Sequence, residues 1–424
     1  MRILFITQYF PPEIGAPQNR ISDLALRLAD AGHTVAVLTA FPNYPEGRVA
    51  DAYRHKLRMI DHWCGLRVVR TWIYATPSKG FIARLGNYFS FVLSSIIFGT
   101  RDVGEQDVVI VESPPLFLGL AGLVISRMKR ARMVFNVSDL WPESAVALGV
   151  IRNRLLIGFA GRLERFIYQR SDLISGQTRG IISNIATRMP LKPVYLLTNG
   201  VAIERFHAAS DQTRKDAVLR LEPSLEGKLV VGYAGLHGLA QGLETVLEAA
   251  RLLGNRDDVA FVLVGDGVEK PALKEAAARL GLANVFFLDS QPKERMPDIL
   301  RGFDAALIPL KRLDLFKGAL PSKMFEAMAA ALPMIVMVDG EARALMETAE
   351  AGVYVQPENP QALAEAVAAL AADRARCRQL GENGRRFVLR HFDRAVIARR
   401  FEHALHTLCS VDRYAEETPI EVES

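Results

Sequence analysis

Short apolar runs recur along the first two hundred residues, separated by stretches in which apolar positions return every three or four residues. The runs at 3–7, 34–39, 108–111, 133–136 and 194–197 read as strands, and 21–31 reads as an amphipathic helix between the first two. From Leu229 the pattern restarts. Strands at 229–233, 260–264, 285–288, 305–309 and 334–338 alternate with helices at 243–253, 270–280 and 296–301, and one more helix precedes the last strand. Such alternation predicts α/β architecture, with parallel strands joined by crossover helices. Two doubly wound domains are expected, at 1–200 and 201–384. Residues 385–424 are expected to form a helix crossing back over the domains and then an acidic tail at 416–424, and 211–227 reads as a loop or short helix beside the boundary. Two such sheets facing each other across a cleft bring the C-terminal edges of their strands together, where ligands of open α/β sheets bind.

With 424 residues, 50% hydrophobic and 23% charged, the chain has enough apolar content for two large cores and the charge of a water-soluble protein. The opening MRILFITQYFPP has too short an apolar run for a signal peptide, and Cys64, Cys377 and Cys409 have neither disulfide-framework nor zinc-finger spacing, so a cytoplasmic location is expected. The net charge of +5 hides an asymmetry. Residues 1–200 carry 24 Lys and Arg against 14 Asp and Glu, a balance of +10, which leaves −5 for the rest. Within the basic half, residues 85–100 form an uncharged, aromatic-rich stretch between Arg84 and Arg101, too short to span a bilayer. It reads either as a buried helix or as a segment lying on an anionic membrane, with Lys79, Arg84, Arg101, Arg127, Lys129, Arg130 and Arg132 as partners for headgroups. Nucleic acid is not expected as a partner.

Candidate chemistry gathers at predicted strand ends. Gly235, Gly238 and Gly242 lie in a loop between a strand and a helix, where backbone amides suit a phosphate, although the spacing is not GxGxxG. Asp266, between Gly265 and Gly267, follows the next strand. Gly15 and Arg20 belong to the long first loop and the helix after it. Asp139, in NVSDLWPES with Trp141, stands where a carboxylate could accept a hydroxyl proton and an indole could stack on a sugar; a helix cap and a core residue are the plain alternatives. In FKGALPSKMFEAMAAALPMIV, Pro321 fits a first helical turn, Ser322 fits a cap, Lys323 adds a cation, and Glu326 one turn on could accept both hydroxyls of a ribose or simply face solvent. No His, Cys and Asp grouping has metal-ligand spacing.

The chain resembles the family 4 retaining glycosyltransferases of the GT-B architecture, two Rossmann-like domains. The resemblance rests on LTNGVAIERF at 197–206, the run from Val262 to Leu300, FDAALIPL at 303–310 and PSKMFEAMAAALPMIV at 321–336, in that order and spacing. The FPPEIGAPQNR, NVSDLWPES and GLHGLAQGLETV segments look closest to the subgroup that transfers N-acetyl-L-fucosamine or related sugars in O-antigen and capsule assembly. The resemblance implies a metal-independent hexosyltransferase without cofactor, using a nucleoside diphosphate sugar, UDP favoured, as donor and a lipid-linked saccharide as acceptor, peripheral on the inner face of the plasma membrane. It implies that Glu326 holds the ribose, the 235–242 loop the diphosphate, Gly15 the closing front loop, and Asp266 with the 290–293 turn, Lys293 included, the region near the base. Two positions depart from the pattern: Gly318 stands where the first Glu of E-x7-E is usual, and Gln241 where a diphosphate-binding Lys is usual. Lys323 is the candidate replacement cation, with Arg20 as another. A nucleotide-sugar 2-epimerase or hydrolase on the same architecture is the alternative reading. A dinucleotide-dependent dehydrogenase is disfavoured by the absence of GxGxxG after the first strand.

Overall fold

Alternation along each strand explains why both sheets are buried on two sides. In the first strand Ile3 and Phe5 point into one apolar cluster while Leu4 and Ile6 point into another, because successive side chains of a strand leave on opposite faces. The protein is described by a computed structural model that covers the chain except residues 14, 45, 79, 148–150, 152, 207–215 and 411–424. Lys79, residues 211–215 and the acidic tail therefore lie outside the described residues.

Eight strands make the first sheet: β1 Arg2–Ile6, β2 Thr34–Ala40, β3 Arg58–Trp63, β4 Leu66–Thr71, β5 Val108–Ser113, β6 Arg132–Val137, β7 Leu173–Gly176 and β8 Val194–Leu196. Their order is β3-β4-β2-β1-β5-β6-β7-β8, parallel throughout except for the antiparallel β3–β4 pair. The β3–β4 hairpin turns on Cys64 and Gly65, both with positive φ (48° and 84°), as a tight two-residue connection requires. Sequence pattern alone passes over β3, β4 and β7. Arg58, Asp61, Arg67 and Arg70 interrupt the apolar runs of the hairpin, and β7 is only four residues long.

The second sheet contains β9 Leu229–Ala234, β10 Val259–Val264, β11 Val285–Leu288, β12 Ala305–Pro309, β13 Met334–Met337 and β14 Gly352–Tyr354, in the order β11-β10-β9-β12-β13-β14 and all parallel. The strand order reverses direction between β9 and β12, as it does between β1 and β5 in the first sheet. Those two places are where open α/β sheets leave a crevice for ligands.

The described residues divide into two compact units, 1–198 with 395–410, and 199–394. The return to the first unit therefore begins near residue 395 and not at 385. The helix Arg374–His391 stays with the second unit because Gly381 abuts the carbonyl of Ala331, where a Cβ would come within 2.1 Å of the oxygen, and because Arg385 donates to the carbonyls of Ala329 and Phe206. The helix Arg394–Ser410 then buries Phe401, Leu405 and Leu408 against Ile3, Phe5, Leu24 and Leu28 of the first unit. No described helix is long and apolar enough to cross a membrane.

Candidate functional site

In the second unit, the loops that leave β9 and β12 meet at the reversal of strand order. Lys311 N–H donates to the carbonyl of Ala240 at 2.8 Å, which joins them. The helix Ser322–Ala329 follows the β12 loop, and its entry differs from the sequence reading. Pro321 occupies the cap position and no side chain caps the helix, so Ser322 is its first residue and not its cap. A proline has no hydroxyl to offer, so the first-turn amides are left for another acceptor.

Lys323 runs from that helix beneath the β9 loop. A Cβ at Gly235, whose φ is 148°, would come within 2.3 Å of its Cε and 2.6 Å of its Nζ, so the glycine makes the room that the lysine occupies. Its Nζ lies 5.2 Å from the ring centroid of Tyr233. Burial lowers the pKa of this ammonium and the Glu326 carboxylate works against that shift. Lys323 forms no ion pair among the described residues. Glu326, one turn further on, is partly exposed, and enclosure of its carboxyl raises its pKa while Lys323, Arg394, Lys293 and Arg205 pull it down. The geometry thus sets one carboxylate among four cations. Lys293 stands in the short turn Lys293–Arg295 after β11.

Gln241 is no substitute for a cation, since its Oε1 accepts from Gly238 N–H at 3.2 Å and closes the loop on itself. At Gly242 the φ is 57°, and a Cβ would meet Lys311 Cγ at 3.2 Å. Gly265 and Gly267 (φ 140° and 157°) let the β10 loop press on the β9 loop, with Cβ atoms there falling within 1.9 Å of the Gly235 oxygen and 2.3 Å of the His237 oxygen. Asp266 braces this contact: its carbonyl accepts from His237 N–H, and its Oδ1 accepts from Gly267 N–H, each at 2.8 Å. Lys270 was not singled out by the sequence pattern. Its Nζ donates to the carbonyls of Gly265 and Leu288 and to Asp289 Oδ1, which locks the β10 loop from below. A lysine three residues after Asp266-Gly267, at a helix start, is the only signal for it.

His237 is fully buried between Tyr233 and Phe287, and neither ring nitrogen has a hydrogen-bond partner. Burial, with help from nearby Lys270, lowers its pKa from 6.5 to about 4. The unfolded chain takes up this proton first as pH falls, so stability is complete above pH 6.5 and declines toward pH 4, by at most about 3 kcal/mol. Replacing His237 with Phe will flatten that part of the stability curve relative to the parent, as measured by urea denaturation at steps of pH. An unchanged difference between pH 7 and 4.5 would contradict the assignment.

The first unit has its own polar cluster at the β1/β5 reversal. Arg20 is buried, and its Nη2 donates to Glu112 Oε1 at 2.5 Å and to Ser138 Oγ at 2.6 Å. Asn136 Nδ2 donates to Glu112 Oε2 at 2.5 Å, and Ser175 Oγ donates to Asn136 Oδ1 at 2.8 Å. Arg20 is therefore committed to Glu112 and is not the free cation its sequence position suggests. Gly15 caps the following helix with an extended backbone, and a Cβ there would collide with the Gln18 side chain. Asp139 follows the cluster on the exposed rim; desolvation of its carboxyl raises its pKa, opposed by Ser144 and the backbone of Leu140. Trp141 is half-buried at the margin of the apolar core, set edge-on against Phe117 with ring centroids 5.4 Å apart.

Comparison with known proteins agrees with this layout. The Glycosyl transferase 4-like domain matches residues 15–200 and Glycosyl transferases group 1 matches residues 219–387. The chain is 28% identical over 375 residues to the putative colanic acid biosynthesis glycosyl transferase WcaI of Escherichia coli (strain K12), covering 86% of this chain and 90% of that one. Among solved structures, sucrose-phosphate synthase from Thermosynechococcus elongatus superposes with a TM-score of 0.71 at 20% identity, covering 96% and 98% of the two chains. Anabaena HepE in complex with UDP-glucose gives 0.69 at 16%, covering 96% and 100%. With one matched domain on each of its two parallel-sheet units, the chain belongs with the group 1 glycosyltransferases of GT-B fold.

Proposed function

We propose that the protein transfers a sugar, with retention at the anomeric carbon, from a nucleoside diphosphate sugar to a lipid-linked saccharide in surface polysaccharide biosynthesis. The observation that carries this reading is the placing of Lys323 and Glu326 one helical turn apart beside the β9 glycine loop. The ammonium and the uncapped amides of Ser322–Ala329 stabilise the negative charge that grows on a departing diphosphate, and the Glu326 carboxylate accepts from the two ribose hydroxyls. UDP is the favoured carrier, in keeping with the UDP-glucose held by the structural neighbour HepE. Asp266 and Lys293, on loops after β10 and β11, face the base side of the donor. Asp139 serves the acceptor hydroxyl, where a raised pKa suits a proton acceptor. These residues carry the transfer without a metal ion or cofactor.

Similarity to a protein named for colanic acid biosynthesis supports a surface polysaccharide as product. Gly318 supports an unusual sugar: a Cβ there would have nothing within 4 Å, so the space beside it is open to a substituent such as an N-acetyl group. An N-acetylated deoxyhexose, of which N-acetyl-L-fucosamine is one, fits that space.

The membrane partner is read from the first unit. The helices Phe81–Ser94, Leu118–Lys129 and Arg154–Arg170 lie side by side on one face of its sheet. These helices, with the turn Ser95–Gly99 that continues the first, leave Leu93, Ile97, Met128, Leu155 and Phe159 more than half exposed. Arg101, Arg127, Lys129, Arg162 and Arg165 flank these apolar side chains, a combination that suits an anionic bilayer surface on the inner face of the plasma membrane.

Two assays test the reading, one for transfer and one for the membrane. With UDP-, GDP-, dTDP- and ADP-sugars offered in turn, nucleoside diphosphate release should be slow alone and rise when a polyprenyl-linked saccharide is added. Equal turnover of donor without acceptor would sink the transferase reading in favour of an epimerase or hydrolase. Sedimentation with phosphatidylglycerol vesicles should bind the protein at low salt and release it progressively as salt increases, while phosphatidylcholine vesicles should bind it little. Salt-independent absence from both would remove the membrane from the proposal.

A further inference from the structure

Two imidazoles and one carboxylate converge at the N-terminal edge of the first sheet, the edge opposite the Arg20 cluster. His33 stands in the turn just before β2, while Glu402 and His406 lie one turn apart on the helix Arg394–Ser410. His33 Nε2 is 3.0 Å from Glu402 Oε1, and His406 Nε2 is 4.0 Å from the same oxygen. One ligand atom from each residue falls within 4.8 Å of the other two. We propose that these three side chains bind a single divalent ion of the zinc type through His33 Nε2, Glu402 Oε1 and His406 Nε2, with the remaining position open to water.

The chemistry favours an ion over a plain charge pair. Without an ion, neutral His33 serves Glu402 through Nε2–H while Nδ1 accepts from the Met1 ammonium, and His406, its ring centroid 5.6 Å from that of His33, is left 4.0 Å from the same oxygen without a hydrogen bond to it. A divalent cation takes both imidazoles in their neutral form and uses both lone pairs. Tetrahedral ligands at about 2.1 Å from zinc stand roughly 3.4 Å from one another, between the separations seen here. The His406 side chain is 57% exposed and free to swing inward, whereas His33 is held, with Nδ1 3.1 Å from the nitrogen of Met1; with Nε2 on the ion the neutral ring carries its proton on Nδ1, and the Met1 nitrogen accepts it as the free amine, its own proton released to water on binding. Two imidazoles with one carboxylate select zinc, cobalt, nickel or copper over magnesium and calcium. The ion would tie the helix Arg394–Ser410 to a turn 369 residues away in sequence. Sequence spacing alone gives only half the signal, Glu402 and His406 at i,i+4, because His33 is supplied by the fold.

Metal-stripped full-length protein titrated with Zn2+ in a calorimeter should bind one ion per chain, Co2+ should develop a ligand-field absorption, and Mg2+ should do neither. Saturating Zn2+ should raise Tm by mass action. His406→Ala and Glu402→Gln should each weaken Zn2+ binding by at least about tenfold and remove most of the Tm increase. His62→Ala, at an exposed histidine on β3, should leave both unchanged. His406 is exposed enough that its loss will not unfold the protein. The absence of saturable Zn2+ binding, or parental affinity in His406→Ala, would overturn the proposal.

Discussion

Lys323→Met will lower kcat/KM for the donor about a hundredfold or more while leaving the fold as stable as before, or more stable. The size follows from the role proposed for the ammonium. A preorganised donor aimed at charge that develops in the transition state is worth about 2.7–4 kcal/mol, which is 10²–10³ in rate. The direction on stability follows from its surroundings. The ammonium is enclosed beneath Gly235 and over Tyr233, and its lowered pKa means that folding disfavours the charged form. Methionine keeps the stem packed and removes the buried charge. A loss of rate with an unchanged or higher Tm therefore cannot be unfolding. Glu326→Gln should act differently, raising KM for the donor more than it lowers kcat, because the ribose is held alike in ground and transition states. Full activity of Lys323→Met at saturating donor, with the parental KM, would remove Lys323 from the site.

The second sheet was legible in the sequence because each of its longer strands is an unbroken apolar run between polar loops. Val285–Leu288, Met296–Arg301 and Ala305–Pro309 emerge with the bounds their patterns predict. β14 escaped because three residues, Gly352–Tyr354, carry no period. The first sheet was legible in its centre and not at its edge, where β3 alternates half-exposed with exposed residues and its charges find partners across the hairpin, Asp61 with Arg70 among them. At the candidate site, residue types and spacing singled out Gly235, Lys323 and Glu326 but could not reveal who touches whom. That Gly235 yields its volume to Lys323, that Gln241 folds onto Gly238, and that Arg20 is consumed by Glu112 are facts of three-dimensional packing between segments far apart in sequence. Local pattern carries no information about them.

Glu112→Ala will cost about 3–5 kcal/mol of folding stability, read from urea denaturation with the m-value unchanged. The Arg20 and Glu112 side chains are 8% and 4% exposed, so removing the carboxylate strands a guanidinium where water cannot reach it well. It also takes the acceptor from Asn136 Nδ2 and from the Ser138 hydroxyl, both of which point at Glu112. Replacing both partners, as Arg20→Met with Glu112→Met, should cost less than either single change, because no isolated charge remains; the coupling in the double-mutant cycle should therefore be large and favourable to the pair. Additive losses, or a Glu112→Ala variant within about 1 kcal/mol of the parent, would show that the cluster is better hydrated than its burial implies. The cluster also bears on chemistry. Ser138, which both Arg20 and Glu112 engage, is the residue before Asp139, so the ion pair fixes the backbone from which the proposed acceptor-side carboxylate projects. In a conservative Glu112→Gln variant that still folds, the neutral amide holds Arg20 less firmly. Turnover should then fall through kcat with the acceptor while donor affinity, set in the second unit, stays unchanged.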